Sequence, residues 1–268
     1  MALPAPREAA TALVTGASSG IGAEIARQLA RRGHGVTLVA RREERLLELA
    51  SELARDHGVR AGVITADLAA REGRERFAAE LERLELDVDV LVNNAGFGLH
   101  GDFLDGDRER QLSMVALNCE AVVDLCARYA PGMRDRGEGA IINIASTAAF
   151  QPLPGSATYA ASKAFVLNFS EAIHEELKDR GVIVTAVCPG PVRTEFAEVA
   201  GIAGAEANTP DLVWMSAAAL AEGAVEAAEK GKRAVVPGRL NFAGSLLGRH
   251  SPRAISLPLT RRLWRQVD

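Results

Sequence analysis

The chain has 268 residues, 48% of them apolar, and a formal net charge of −4. This length fits one large α/β domain, and the acidic balance disfavours general nucleic-acid binding. No apolar run reaches the roughly eighteen residues of a membrane span, and Met1–Ala10 contains no apolar signal-peptide core, so we expect a cytoplasmic protein.

Short β-rich apolar runs alternate with longer segments whose apolar residues recur every three or four positions. The predicted strands are Thr11–Thr15, Gly35–Ala40, Gly62–Ala66, Val88–Asn93, Ala140–Ala145, Val182–Val187 and Arg233–Val236. The predicted helices are Ile21–Arg32, Glu43–Asp56, Arg71–Leu84, Arg108–Met133, Thr158–Arg180 and Ser216–Lys230. Strict alternation predicts one doubly wound parallel sheet of about seven strands, a Rossmann fold with helices on both faces, over residues 1–238.

A glycine-rich turn follows the first predicted strand and opens the first helix. It contains Gly16, Ser18, Ser19, Gly20, Ile21 and Gly22. Glycine permits a sharp turn and a close backbone approach, and a helix N-terminus offers free N–H groups to a pyrophosphate. The turn therefore predicts a dinucleotide site at the carboxyl edge of the sheet.

Three motifs occur in a fixed order: the G-x-x-x-G-x-G spacing of this turn, Asn93-Asn94-Ala95-Gly96 after the fourth strand, and Tyr159-x-x-x-Lys163. In this combination the chain resembles the short-chain dehydrogenase/reductase family, over about Thr11 to Val236. The resemblance implies a nicotinamide-dependent oxidoreductase acting on a carbonyl or a secondary alcohol.

The end of the second strand indicates which nicotinamide cofactor binds. An acid there would bind the ribose hydroxyls of NAD, whereas this chain has Ala40 followed by Arg41 and Arg42. A guanidinium can hold a phosphate through two charge-assisted bonds. We expect NADP(H), with Arg41 as the first phosphate ligand, Ser18 as a second and Arg42 as a stacking partner. The alternative is that both arginines belong to a solvated helix start.

The resemblance assigns further residues to the cofactor. Asp67, with its neighbour Leu68, would meet the adenine, and Asn93 would lie beside the adenosine ribose. Val192 and Thr194 would hold the nicotinamide carboxamide. Further expected contacts come from Ala95, Gly96, Pro189 and Gly190.

Tyr159 and Lys163 lie four positions apart and so share one face of a predicted helix. Reduction of a ketone needs a proton donor, and a nearby cation lowers the pKa of a phenol. Tyr159 is therefore the predicted acid. By resemblance, Lys163 also binds the nicotinamide ribose, Ser146 donates to the substrate oxygen, and Asn118 holds a water that links the lysine to solvent.

Three segments are expected to cover the substrate: Phe97–Phe103, Thr147–Pro154 and the lid-like Glu195–Met215, which contains Gly201, Gly204 and Pro210. Their apolar side chains favour a hydrophobic ketone or alcohol, although they could instead pack on the body. These side chains are Phe97, Leu99, Phe103, Phe150, Leu153, Phe196, Trp214 and Met215.

Apolar residues on two of the predicted helices indicate how the chain assembles. Helices Arg108–Met133 and Thr158–Arg180 carry apolar residues beyond those needed to cover the sheet, namely Val122, Leu125, Phe165 and Phe169. In the family these helices pair across a two-fold axis, which predicts a homodimer.

Residues 239–268 form a C-terminal extension that mixes leucines with arginines, and from Lys232 onward eight basic side chains face one acid. Two short amphipathic helices broken at Pro252 and Pro258 are expected. Packing on the body is favoured over contact with a membrane surface, with the arginines paired to acids of the body.

Other functions fit less well. His34, His57, His100, His174 and His250 have no metal-ligand spacing, nor do Cys119, Cys126 and Cys188, and no acid cluster indicates a metal. A 3-oxoacyl-carrier-protein-type ketoreductase is the alternative within the oxidoreductases. A non-catalytic NADP-sensing protein would not need the Ser146, Tyr159 and Lys163 set, and a lyase or epimerase would need a separate substrate domain.

Overall fold

A computed structural model describes residues 3–201 and 211–264. The strands are β1 Ala10–Thr15, β2 Val36–Ala40, β3 Ala61–Thr65, β4 Asp87–Asn93, β5 Gly139–Ile144, β6 Val182–Val187, β7 Val192–Arg193, β8 Met215–Ser216 and β9 Ala234–Val235. The α-helices are α1 Gly20–Arg31, α2 Glu43–His57, α3 Arg71–Glu82, α4 Arg108–Val115, α5 Ala121–Arg136, α6 Ala157–Leu177, α7 Phe196–Ala200, α8 Ala217–Glu229, α9 Arg239–His250 and α10 Arg253–Trp264.

Seven strands form one sheet in the order β3-β2-β1-β4-β5-β6-β9. Every neighbouring pair is parallel, from β2 with β3 to β6 with β9. The order reverses between β1 and β4, which is where a doubly wound sheet opens a crevice at the carboxyl ends of its strands. The predicted Rossmann-type sheet is confirmed.

The two faces of the sheet carry separate apolar cores because alternate strand residues point to opposite sides. Val14, on one face, packs with residues of α1, α2 and α8. Its neighbour Leu13, on the other face, packs with residues of α3, α5 and α6. The central strands β1, β4, β5 and β6 are almost entirely buried between the two helical layers, which explains their nearly continuous apolar sequences.

The predicted helix Arg108–Met133 is interrupted by a π-helical turn over Ala116–Glu120, between α4 and α5. The amphipathic spacing continues through it, so periodicity alone does not reveal the turn. A second difference is the short parallel pair of β7 and β8, which the sequence did not predict.

The apolar residues expected at a dimer contact divide into two groups. Val122 and Leu125 are buried in the core beneath the sheet, so their assignment to an interface was wrong. Phe165 is exposed and stacks on Phe169 with ring centroids 6.0 Å apart. Leu112 and Val115 of α4 are also exposed.

Two helices follow β9, as expected for the extension. Pro252 separates α9 from α10, whereas Pro258 lies inside α10 and does not end it. Asn241 fixes α9 to the body by donating from Nδ2 to the Val213 carbonyl, at 3.2 Å. No helix in the described ranges is long and apolar enough to cross a membrane.

Candidate active site

A cleft of about 990 Å³ opens at the carboxyl ends of the central strands. Most of the residues predicted to bind the cofactor line it, namely Gly16, Ser18, Ser19, Gly20, Ile21, Arg41, Arg42, Asp67, Leu68, Ala95, Gly96, Tyr159, Lys163, Pro189, Gly190, Val192 and Thr194. Ser146 lines the same cleft. The topology therefore brings residues distant in sequence to one edge of the sheet.

The glycine turn presents its backbone to the cleft. Gly16 adopts φ +65°, and a Cβ on Gly22 would approach the Gly16 carbonyl oxygen to 2.4 Å. Asn94 Nδ2 donates to the carbonyls of Thr15, at 3.0 Å, and Gly16, at 3.2 Å. Within the described residues no side chain caps the N-terminus of α1. The turn and the open helix end therefore fit a pyrophosphate.

Two residues that were predicted to bind the cofactor, Asn93 and Gly22, do not line the cleft. Asn93 is buried, and its Nδ2 donates to Asn143 Oδ1 at 2.8 Å and to Cys126 Sγ at 3.3 Å, so its side chain does not line the cleft. The amide that supports the glycine turn belongs instead to Asn94, for which the sequence predicted no role. Gly22 likewise packs behind the turn.

An exposed cluster of charges lies at the end of β2. It consists of Arg41, Arg42, Arg45 and Glu195, and we call it the arginine rim. Arg42 donates to Ser18 Oγ at 3.0 Å and to Ser19 Oγ at 2.6 Å. It also pairs with Glu195 across the cleft at 2.7 Å, and Arg45 pairs with the same carboxylate at 2.5 Å. These two arginines lower the pKa of Glu195 to about 2, so the carboxylate is ionised at any working pH.

The arginine that contacts the glycine turn is not the one that was expected. Arg42, rather than Arg41, contacts the serines of the glycine turn. Arg41 is exposed at the cleft and makes no hydrogen bond to the described part of the chain. Both arginines therefore line the cleft at the end of β2, and of the two only Arg42 has hydrogen-bond partners in the described part of the chain.

Tyr159 and Lys163 lie on the first two turns of α6 and line the same cleft as the arginine rim. The Lys163 Nζ lies 5.9 Å from the centroid of the Tyr159 ring and donates to the Ile144 carbonyl oxygen at 2.9 Å. Ser146 begins the short 3₁₀ turn after β5, and its Oγ accepts from the Ala148 N–H at 3.1 Å. The helix spacing places tyrosine and lysine side by side, as predicted.

Burial dominates the electrostatics of this pair. It raises the pKa of the Tyr159 hydroxyl to about 12, although the neighbouring Ser146 hydroxyl lowers it. It also lowers the pKa of the Lys163 ammonium to about 8. The expectation that the lysine lowers the tyrosine pKa does not hold for the protein alone, because burial raises that pKa and the Ser146 hydroxyl offsets only part of the increase.

Asn118 lies in the π-helical turn and is fully buried. Its Nδ2 donates to the Phe97 carbonyl at 3.0 Å and to Ser162 Oγ at 3.1 Å, and its Oδ1 accepts from the Phe97 N–H at 3.2 Å. Ser162 Oγ in turn donates to the Tyr159 carbonyl at 2.7 Å. Asn118 therefore joins the loop after β4 to the start of α6.

The walls of the cleft beyond Tyr159 are mainly apolar. Among the predicted substrate-loop residues, Phe97, Leu99, Phe150, Leu153, Phe196 and Trp214 line it, whereas Phe103 and Met215 do not. Phe196, at the start of α7, covers the Tyr159 ring with centroids 5.6 Å apart. Residues 202–210 of the predicted lid, including Gly204 and Pro210, lie outside the described residues.

Helix α9 supplies a further wall of the cleft, whose residues no local sequence motif indicates. Leu240, Asn241, Gly244, Ser245 and Gly248 line the cleft. A Cβ on Gly190 would come within 2.4 Å of Asn241, so this helix lies directly against the Pro-Gly turn after β6. In the described part of the chain, no group of three His, Cys, Asp or Glu side chains could hold a metal ion.

Comparison with known proteins adds a family to this geometry. The sequence profile of the short chain dehydrogenase family matches residues 10–202. A very-long-chain 3-oxoacyl-CoA reductase of Anas platyrhynchos is 40% identical over 199 residues, which are 72% of this chain and 63% of that protein. The chain thus matches under two thirds of the length of that curated relative, and 61% of its counterpart from Bos taurus.

Two solved structures resemble nearly the whole chain. A short-chain dehydrogenase from Sphingobium yanoikuyae in complex with NADPH is 36% identical, with a TM-score of 0.78, covering 91% of this chain and 97% of that one. A bulky-bulky ketone specific alcohol dehydrogenase from Comamonas testosteroni is 33% identical, with a TM-score of 0.75, covering 91% and 96%.

Proposed function

The chain belongs to the short-chain dehydrogenase/reductase family, and from this membership we propose that it interconverts a hydrophobic ketone and its secondary alcohol with NADP(H). The observation that carries the proposal is the meeting of Ser146, Tyr159 and Lys163 with the glycine turn in one cleft. A dinucleotide cradle and a proton donor at one site are what a carbonyl reductase requires.

When bound, the reduced nicotinamide supplies a hydride to the carbonyl carbon. Tyr159 gives its proton to the carbonyl oxygen as negative charge develops there, and its raised pKa keeps the phenol protonated before this step. The Ser146 hydroxyl donates a hydrogen bond to the same oxygen. Lys163 lies beside the phenol and stabilises the phenolate that the transfer leaves behind.

Asn118 would act indirectly, without contacting the substrate. It fixes the loop at Phe97 to the α6 backbone at Tyr159 through Ser162. A water held near its amide and Lys163 would connect the lysine to solvent, as the family resemblance implies. Interruptions of the α-helix by a π turn are frequent at functional sites, which supports this role.

The preference for the phosphorylated cofactor rests on the arginine rim. Arg41 and Arg42 would hold the 2′-phosphate, with Ser18 as a hydroxyl donor. Asp67 and Leu68 would contact the adenine, and Val192 and Thr194 the carboxamide. The relative from Sphingobium yanoikuyae, described as a complex with NADPH, supports the same choice.

The apolar walls of the cleft support a hydrophobic substrate. Residues 1–238 would supply the catalytic and cofactor-binding domain, with the extension packed on it through α9. A second candidate, reduction of a 3-oxoacyl thioester, is favoured by the name of the 40% identical relative. An acyl chain could lie along the apolar wall in either case.

We also propose a homodimer. Leu112, Val115 and Phe165 leave an apolar surface on α4 and α6 that a second copy would cover. Analytical ultracentrifugation at micromolar concentration should give a dimer, and Phe165→Ser should shift it toward the monomer. A stable wild-type monomer would contradict this assembly.

The function is tested by following reduced-nicotinamide absorbance with a panel of ketones and 3-oxoacyl thioesters of increasing length. NADPH should support turnover of bulky hydrophobic substrates more efficiently than NADH. Thioester activity that exceeds ketone activity at every chain length would favour the second candidate. A wild-type protein that prefers NADH would contradict the cofactor assignment.

A further inference from the structure

The outward face of α9 is unusually apolar. Its small polar or glycine residues Asn241, Ser245 and Gly248 are buried against the body. Phe242, Leu246 and Leu247 are exposed, Leu247 to 70%. A helix that rests on a folded body normally turns its polar face outward. Here the polarity is reversed, so the outer surface of α9 is suited to an apolar neighbour.

The next helix continues the same pattern. Ser256 and Thr260 of α10 are buried, whereas Leu257 is exposed. Arg253 and Arg261, which are four positions before and after that leucine, are also exposed. Residues at this spacing share one face of a helix, so the outer face of α10 combines arginines with leucine. We call the exposed residues of α9 and α10 the apolar-basic face.

The apolar-basic face carries positive charges and no negative ones. Residues 231–264 contain no Asp or Glu. Arg239, Arg249, Arg253 and Arg261 form no ion pair with any residue in the described ranges. The expectation that the basic residues from Lys232 onward pair with acids of the body holds for Arg233, which pairs with Glu171 at 3.0 Å, and is wrong for these four arginines. Four unpaired guanidinium groups beside exposed leucines call for an anionic as well as apolar partner.

The face adjoins the mouth of the cleft. Leu240 both lines the cleft and is exposed, and Leu212, which is exposed to 80%, precedes the Val213 carbonyl that α9 binds. At the other end of α9, Gly248 packs beside Gln151, and both residues line the cleft. A partner that covered the apolar-basic face would lie next to the route by which substrate enters.

We propose that the apolar-basic face docks on the surface of an anionic phospholipid bilayer. In an interfacial helix, leucine and phenylalanine enter the boundary with the acyl chains while arginines extend to the phosphates of the head groups. A second copy fits less well, because a two-fold contact through this face would place the same unpaired arginines against each other. An acidic protein would match the arginines but not the exposed leucines and phenylalanine.

Vesicle co-sedimentation of the full chain tests the proposal, with phosphatidylcholine vesicles prepared with and without phosphatidylglycerol. Wild type should bind the anionic vesicles and dissociate at high salt. Arg249→Glu/Arg253→Glu should lower the partition coefficient by about thirtyfold, and Leu246→Ser/Leu247→Ser by about tenfold. Binding is measured without substrate or cofactor, so the result does not depend on the proposed function.

Matched variants on other surfaces control for charge and hydrophobicity. Arg71→Glu/Arg76→Glu and Leu47→Ser/Leu84→Ser alter exposed residues of the same types and should bind as wild type does. Circular dichroism confirms that each variant is folded. Absent binding to anionic vesicles, equal binding to neutral ones, or equal losses in the controls would overturn the proposal. So would a Leu246→Ser/Leu247→Ser variant that sediments as a smaller oligomer, because α9 would then be a contact between copies.

Discussion

The charged groups at the two ends of the cleft are controlled by different effects. At one end, which we call the floor, Tyr159 and Lys163 have few polar partners, and burial shifts both of their pKa values. At the arginine rim, Arg42, Arg45 and Glu195 are more than two-fifths exposed, and direct pairing with the two arginines lowers the pKa of Glu195. The floor should therefore respond to whatever displaces water from the cleft, and the rim to ionic strength.

This contrast changes how the catalytic pair is understood. A lysine four residues from a tyrosine predicts an acidified phenol, but in the protein alone burial favours the neutral form of both groups. The phenol stays protonated through neutral pH, and the lysine loses its charge only as the pH rises through about 8. Bound oxidised nicotinamide carries a positive charge, which would favour the phenolate. The floor therefore needs the cofactor to become competent in the oxidation direction, whereas reduction starts from a phenol that is already protonated.

The largest effect is expected at the floor. Tyr159→Phe removes the transferable proton and should lower kcat by at least about three orders of magnitude, while the Kd for NADPH stays within about twofold. Steady-state kinetics and fluorescence titration of NADPH measure the two quantities. Tyr129→Phe is the matched control, because this second, partly buried tyrosine lies outside the cleft.

A Tyr159→Phe protein that retained a tenth of wild-type kcat would remove Tyr159 from its role as the acid. Loss of NADPH binding in the same variant would instead show that the hydroxyl is needed to shape the cofactor site. In that case the floor and the rim would not be separable.

Next in size is a gain in stability. Because burial lowers the pKa of Lys163 to about 8 from an ordinary 10.5, keeping its ammonium charged costs folding free energy below pH 8. Lys163→Met should therefore raise the free energy of unfolding at pH 7 by about 1–3 kcal/mol, while activity is lost. The gain should shrink as pH rises from about 8 toward 10.5, since the wild-type lysine then folds uncharged.

Urea unfolding at several pH values measures this difference. Lys178→Met is the control, because Lys178 lies at the exposed end of α6 and pairs with Glu175. A Lys163→Met protein that was less stable than wild type at pH 7 would mean that the bond from Nζ to the Ile144 carbonyl outweighs the cost of burial.

Much of the site could be predicted because its chemistry is local. The glycine turn, the four-residue spacing from Tyr159 to Lys163, and the strand and helix order all lie within short segments with a clear period. The same reasoning failed for Asn93 and Asn94, since adjacent residues at a strand end point to opposite sides. Which of them supports the glycine turn depends on β1 and β5, which are distant in sequence.

Other features were hidden for related reasons. The π turn at Ala116–Glu120 adds one residue to a helix without disturbing its apolar pattern. The partner of Arg42 lies 153 residues away at Glu195, so no local signal could indicate it. The apolar-basic face was visible only as composition, and the structure was needed to show that its leucines point away from the body.

At the rim, Arg42→Ala should raise the KM for NADPH by about tenfold and leave that for NADH unchanged, which corresponds to about 1.4 kcal/mol for an exposed charge-assisted contact. Arg41→Ala should have a similar effect if both arginines hold the phosphate. Arg55→Ala, which removes an exposed arginine of α2 paired with Asp56, is the control. Equal losses with NADPH and NADH would show that the arginines do not recognise the 2′-phosphate.

The smallest effect is expected for the carboxylate that shares Arg42. Glu195 occupies one end of this guanidinium at 2.7 Å, while the same side chain contacts Ser18 and Ser19. A 2′-phosphate arriving there meets a nearby negative charge and an arginine that is already paired. Glu195→Gln keeps the size of the side chain and removes the charge, so it should lower the Kd for NADPH by about two- to fivefold and leave that for NADH unchanged. The wild-type pair persists at every working pH because the pKa of Glu195 is about 2, so the difference between variant and wild type should fade with added salt rather than with acid. Glu198→Gln, an exposed position three residues along α7, is the matched control. Weaker NADPH binding by Glu195→Gln would show that the carboxylate positions Arg42 for the phosphate rather than competing with it.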